Sequence, residues 1–433
     1  MKLFDCAMLF GALIVFMAHL YYTSPITSDS YEIFRESKDL GNGGNFPLVG
    51  SAIEANSNVY PPIFLLAFHS LKTFVNNEFL ALNFLSYIFV FLILACTYLF
   101  LRRIIGNEEY AALGALAIFT IPIVVYRVIT PIPETLGVVL FLLCINLFER
   151  EKYRFLGFLL AIFPFAHTRS FVFTIATLAI LAVFRGKYFE FAKSSALGIA
   201  IFLLYRMAFP INAIGFENLA VITPGILDSF SILAIALSAI GIIAMWKSGK
   251  KREYGTVSTI VAFEILFFIL PFPFRHVIFL LLPTAYFASL VFSLDRRFAI
   301  VFAVFLPLTV ASAMDMRTEP FGFEAIATFK EMGNFDGNNA IANFKDNYAI
   351  PYFANKKVVV GAFAEGMDDG NLRTAELAKY FDANDISVKR GLLEKYGIEL
   401  GVFEKITYDF TYEESIATRK LADSDNFAVF GFG

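Results

Sequence analysis

The sequence predicts an α-helical polytopic membrane protein of about eleven transmembrane helices, followed by a small extracytoplasmic α/β C-terminal domain. Three observations carry that prediction. Of the 433 residues, 58% are hydrophobic and only 17% charged, whereas about a quarter of the residues of a soluble domain are charged. The apolar residues gather into helix-length runs through 3–314, while 318–433 has the mixed composition of a small globular unit. The links between runs segregate their Lys and Arg onto alternate links, which gives the chain a sidedness.

The expected spans are 3–22, 79–101, 110–126, 132–148, 155–168, 170–184, 194–209, 227–246, 256–270, 276–294 and 298–314, within a module covering 1–317. The first run follows a single Lys2 and lacks a small-residue cleavage pattern, so it reads as a retained helix. Basic clusters at Lys2, Arg102/Arg103, Arg150/Lys152/Arg154, Arg185/Lys187/Lys193, Lys247/Lys250/Lys251/Arg252 and Arg296/Arg297 then share one side. The positive-inside rule makes that side cytoplasmic, with the N-terminus on it, in a multi-pass cell (plasma) membrane protein. Two segments are assigned by the same test. Counting 61–75 as a span would invert every later cluster, so 63–75 is expected as an amphipathic helix on the outer surface. The stretch 155–184 has basic flanks at both ends and is expected as a helical hairpin with Arg169 at its tip. A large first outer loop, 23–78, and the C-terminal domain, 318–433, then lie on the extracytoplasmic face.

Candidate chemistry gathers on that face. Arg127, Arg169, Arg206 and Arg275 each stand at or near a helix end, with His167 and His276 beside two of them. A single such Arg usually snorkels to the headgroups. Four on the face that normally avoids positive charge point to a lipid phosphate, because the guanidinium fork matches phosphate oxygens. The first loop adds Thr27-Ser28-Asp29-Ser30-Tyr31-Glu32, then a Gly/Asn segment at 41–45, then Tyr60-Pro61-Pro62 opening the surface helix. Pro-Pro starts a helix without wasting a backbone donor. Glu134, after Pro131-Ile132-Pro133, is a second outer-face acid or a carboxylate favoured by the helix dipole. Glu264 lies within an expected span, where an ionised carboxylate is costly; it either faces a lipid-carrier groove or bonds a neighbouring helix in neutral form.

An acid just after the first span, a large first outer loop with a Pro-Pro-initiated helix, a many-helix bundle and an outer C-terminal domain together resemble the GT-C superfamily of glycosyltransferases, including its protein mannosyltransferase and aminoarabinose transferase branches. At motif level the match rests on Asp29 and Tyr60-Pro61-Pro62. The resemblance implies transfer of a sugar from a polyprenyl- or dolichyl-phosphate donor to a glycan, lipid or protein acceptor, with Asp29 as general base or acceptor-orienting group. The arginines would then stabilise the departing phosphate. Many members carry two adjacent acids at this site; here serines flank Asp29, and Glu32 is the nearest second carboxylate, one helical turn away if the segment is helical. That argues against a divalent metal, which normally takes more than one carboxylate, and no cofactor is expected.

Strands are expected in the tail at 357–361 and 427–430 and helices at 374–381 and 388–396, with Gly397 as C-cap. Asn347-Tyr348-Ala349-Ile350-Pro351-Tyr352-Phe353 is similar to the tails of prokaryotic GT-C proteins. The tail shows no nucleotide-binding Gly-rich loop, metal cluster or nucleophile triad, so its expected role is either to cover the site or bind acceptor, or to serve as a structural lid or assembly surface. Cys6, Cys96 and Cys144 all lie in apolar runs, which excludes a disulfide framework or a cysteine metal site. There is no basic patch for nucleic acid and no Asn-x-Ser/Thr sequon in the tail or outer loops. Two other classes fit the composition: a lipid-linked sugar flippase or transporter, which needs polar residues along a path through the bilayer, and a non-catalytic membrane protein displaying a binding domain.

Overall fold

The computed structural model describes residues 3–21, 28–42, 61–208, 231–248, 254–267, 273–295, 297–315, 323–342, 349–360, 370–383, 385–405, 408 and 411–432. It is predominantly helical, with helices standing at each expected span: α1 (Leu3–Tyr21), α4 (Glu78–Ile105), α5 (Glu108–Leu116), α6 (Pro122–Ile129), α7 (Pro133–Glu149), α8 (Tyr153–Ile162), α9 (Thr168–Arg185), α10 (Tyr188–Ala208), and then Ile232–Ser248, Tyr254–Phe267, Leu281–Leu294 and Arg297–Asp315. Between α1 and α4 lie α2 (Ser28–Gly41) and α3 (Pro62–Val75). Among the described residues, four helices are long and apolar enough to cross a membrane, or five if a bent pair counts as one span; six further apolar helices are shorter. The chain is a helical membrane protein.

The expected span at 110–126 is bent. Residues 108–120 and 122–129 meet at 86°, because Pro122 at the first position of α6 brings no N–H and Ile121 before it is extended. The expected hairpin at 155–184 is present: α8 ends in a short 3-10 turn at Phe163–Phe165, and α9 begins at Thr168. At the far ends of α7 and α9, Arg185 grips Glu149 through Nη2 to Oε2 at 2.8 Å and Nε to Oε1 at 3.2 Å. The links that follow α7 and α9 therefore stand close together.

The tail forms a five-stranded mixed sheet in the order β2-β1-β3-β5-β4 from β1 (Asn339–Ile341), β2 (Lys357–Val358), β3 (Leu400–Glu404), β4 (Arg419–Asp423) and β5 (Phe427–Gly431). β1 runs parallel to β2 and β3, and the other pairs are antiparallel. Alternation places Ile341, Phe403, Ala428 and Phe430 against Leu377, Tyr380 and Leu393 of helices Gly370–Asp382 and Ile386–Lys395 and against Tyr396, the C-cap of the second. Ala340, Leu400, Val402, Phe427 and Val429 face the opposite way, into the core shared with Phe329, Met332 and Ile350. Lys389 is buried in the tail, with Nζ donating to Glu413 Oε1 at 2.8 Å. The expected strand at 357–361 is shorter, and β1, β3 and β4 were not expected from the sequence.

Candidate functional site

Asp29 lies in the first turn of α2, so the segment after the first span is helical where the sequence suggested only a shaped loop. On that helix Glu32 is buried and locked to Arg35, whose Nη2 and Nε donate to its two carboxylate oxygens at 2.7 and 3.1 Å. Arg35 Nη1 also donates to Asp39 at 2.6 Å. Glu32 is therefore held by a fork–fork pair one helical turn from Asp29. Glu36 is buried as well, 3.8 Å from the same guanidinium. Burial first, then the neighbouring Glu32 charge, pushes its carboxyl well above the usual carboxylate range, against the downward pull of Arg35. A carboxyl raised by folding contributes stability that is complete below its ordinary value of 4.5 and is lost as the pH rises through the raised value. Thermal unfolding in detergent should thus show the native protein losing more stability between pH 5 and pH 8 than Glu36→Gln does; identical pH dependence of the two would contradict the assignment.

Of the bundle residues expected on the outer face, two form a close pair. Arg127 Nε lies 2.9 Å from Glu134 Oε2, both side chains buried, so two residues that the sequence presented separately form one ion pair across the α6–α7 break. Thr135 fixes the junction: its Oγ1 donates to the Arg127 carbonyl at 2.9 Å and accepts from Ile132 N at 3.3 Å. The Arg127 guanidinium also lies over the Tyr126 ring at 5.1 Å. His167 is the N-cap of α9, its Nδ1 accepting from Ser170 N at 3.2 Å, and Arg169 follows in the first turn. Gly137, one turn along α7 from Glu134, lets this tip close in, since a Cβ there would stand 2.3 Å from Ser170 Oγ. Near the end of α10, Arg206 lies over Phe202 at 5.9 Å. Phe202 in turn packs on Phe171 at 5.2 Å, two residues from Arg169. The 3-10 segment Pro273–Leu280, which carries Arg275 and His276, packs on α6. Tertiary packing thus gathers the segments bearing Arg127, Glu134, His167, Arg169, Arg206 and Arg275 at one end of the bundle.

Glu264 is exposed on helix Tyr254–Phe267, beside exposed Ile265; it does not bury itself against a neighbouring helix. Tyr60 lies outside the described residues. Among the described residues, no group of three His, Cys, Asp or Glu side chains is placed to hold a metal ion.

Sequence reasoning missed a cleft of about 1250 Å³ between α2 and the tail. Arg35 and Asp39 line one wall; Asn338, Asn355, Lys357, Arg390, Glu394 and Glu399 are among the groups lining the rest. Its charges are partly satisfied from within, since Glu399 accepts from the backbone N of Asn339 at 3.3 Å and Lys356 Nζ donates to the carbonyls of Phe335 and Gly337 at 2.8 and 2.6 Å. A rise of about 1.5 Å per residue puts Arg35 roughly 9 Å along the helix from Asp29.

No protein-family model matches this sequence, and no curated protein matches it. Solved structures do match. ArnT from Cupriavidus metallidurans in the apo state superposes with a TM-score of 0.64 at 12% identity, covering 99% of this chain and 97% of that one. The Archaeoglobus fulgidus oligosaccharyltransferase in the apo form gives 0.63 at 12%, over 93% of this chain and 69% of that one. The mycobacterial arabinofuranosyltransferase AftD, as the mutant R1389S, gives 0.61 at 13%, over 99% of this chain and 41% of that one. These neighbours are GT-C glycosyltransferases, and the fold of this chain is theirs.

Proposed function

We propose that this protein is a membrane glycosyltransferase that moves a sugar from a polyprenyl- or dolichyl-phosphate donor to an acceptor at the extracytoplasmic face. The observation that carries the reading is the GT-C fold along 99% of the chain, with Asp29 in the helix that follows the first expected span. Supporting it, ArnT has been solved bound to undecaprenyl phosphate, and the Archaeoglobus fulgidus enzyme AglB with a dolichol-phosphate and an inhibitory peptide. In this reading the chain crosses the bilayer about eleven times, with the N-terminus cytoplasmic and both α2 and the sheet domain outside.

The chemistry is a single displacement. Asp29 takes the proton of the acceptor hydroxyl as its oxygen bonds to the anomeric carbon; the bond from that carbon to the phosphate oxygen breaks, and the lipid phosphate leaves with the bonding pair. One displacement inverts the anomeric configuration. Arg169, Arg206 and Arg275 meet the phosphate, where negative charge grows as the donor departs. Arg127, tied to Glu134, is the fourth cation of this set. The acceptor enters along the cleft that has α2 as a wall, with a hydroxyl-bearing ligand matching its amides and charges.

Each charge-assisted hydrogen bond is worth about 1.5–3 kcal/mol. Arg169→Ala and Arg206→Ala should therefore each raise the donor concentration needed for half-maximal transfer by about 10- to 100-fold in proteoliposomes supplied with a radiolabelled polyprenyl-phosphate sugar. An unchanged donor dependence in both variants would remove the phosphate role from these residues.

A further inference from the structure

Among the described residues, the tail packs on the helix of Asp29 through the short turn Ile350–Phe353. Two of its aromatic rings enclose the start of α2. Tyr352 and Phe353 lie 5.9 and 5.1 Å from the Tyr31 ring, and Tyr352 lies 5.7 Å from Phe34. Tyr31 and Phe34 are both fully buried. Phe34 carries the contact onward, stacking on Phe68 of α3 at 5.5 Å and meeting Phe79 of α4 edge-on at 5.3 Å.

A polar clasp closes over these rings. The Tyr352 hydroxyl donates to Glu78 Oε2, and the other oxygen of Glu78 is 2.6 Å from Lys72 Nζ. Glu78 opens α4 and Lys72 lies in the last turn of α3. One tail residue thus joins the ends of two bundle helices to a third that carries the candidate base. Burial and the adjacent Glu78 keep the Tyr352 phenol protonated, which is the form that donates. Toward the opposite end of α2 from Asp29, Ser37 Oγ lies 3.0 Å from His69 Nδ1 of α3. The tail rings thus pack directly on the first turns of α2.

We infer that Tyr352 is a positioning residue for transfer: by stacking on Tyr31 and bonding Glu78, it sets where Asp29 stands relative to the bundle. The inference rests on the reading of Asp29 as the base. It also gives the tail a task in the chemistry besides lining the acceptor cleft. Misplacing a catalytic group by about 1 Å costs on the order of 10²-fold in rate.

The test uses the full chain in nanodiscs, with Tyr352→Ala, Tyr352→Phe and Glu78→Ala compared by hydrogen exchange of the α2 amides and by transfer kinetics. Tyr352→Ala is expected to speed exchange in the first turns of α2 by roughly 3- to 10-fold, from the loss of its ring pairs, and to lower kcat by about 10- to 100-fold with the donor KM unchanged. Tyr352→Phe keeps the rings and Glu78→Ala keeps the tail side chain, so each should give a smaller effect in the same direction. Unaltered exchange in all three variants, or faster exchange in Tyr352→Ala with native kcat, would overturn the assignment. Asp29→Asn run alongside separates the two ideas. If that variant still transfers sugar, the base assignment is what has failed; if it is inactive while Tyr352→Ala leaves both exchange and kcat as in the native protein, only the positioning role has failed.

Discussion

Asp29→Asn should bring transfer from a polyprenyl-phosphate sugar down by about 10²–10⁴-fold, the range that a positioned general base contributes. Asparagine keeps the size and helix-start preference of the aspartate, so α2 should persist. Its buried anchors, Tyr31, Ile33 and Phe34, are untouched by the change. What the amide cannot do is accept the acceptor's proton as the new bond forms. The assay is radiolabel transfer in proteoliposomes at matched protein level, with thermal unfolding as a control on the fold. Native-like turnover by the variant would end the proposal that this side chain is the base and would revive the reading of a non-catalytic membrane protein.

The second large effect is on stability. Arg127→Ala leaves the buried Glu134 carboxylate without its ion-pair partner at 2.9 Å, and stripping one partner from a buried pair typically costs about 3–5 kcal/mol. The junction between α6 and α7 should loosen first, because Thr135 binds the Arg127 carbonyl there. Replacing both residues by apolar ones of similar length, Arg127→Met with Glu134→Leu, removes the uncompensated charge and should recover most of the loss. Urea or thermal unfolding in detergent measures both steps. If the single variant proves as stable as the native protein, the pair does not hold the junction; if the double variant is worse than the single, burial of the charge is not the cause. Arg127→Lys keeps the charge but loses the fork and should fall between them.

How much of this was legible beforehand varied with the kind of interaction. Helix positions followed from composition, because a run of apolar residues long enough to span is a local property. The helix start at α3 was legible from Pro61-Pro62, and the helix begins there. Helix-level reading failed at Pro122, where the break lies within an unbroken apolar run and only the 86° bend reveals it. In the tail, β5 was visible as an apolar run. β1, with three residues, and β4, an edge strand carrying Arg419 and Lys420, were not, since short strands and edge strands are specified by their partners more than by their own pattern.

At the candidate site the sequence supplied residue types and the structure supplied their company. Glu32 looked like a second catalytic acid, and its fork–fork pairing with Arg35 was hidden because it needs the 28–41 segment to be helical. Arg127 and Glu134 read as independent until the α6–α7 break folded them together. The cleft against α2 and the Tyr352–Glu78 clasp had no signal at all, joining positions that are 274 apart in the second case.

By itself the sequence determined that the chain is a helical membrane protein with charge segregated between its links, and it led to the expectation that an acid and several cations share one side. These depend on local hydropathy and net charge, which act residue by residue against a bilayer. Only the tertiary structure decided which carboxylate is locked to which guanidinium, where the bundle bends, and how the tail seats the helix of Asp29. Such pairings depend on distances of a few ångströms between residues far apart in the chain, and those distances exist only once the helices have packed.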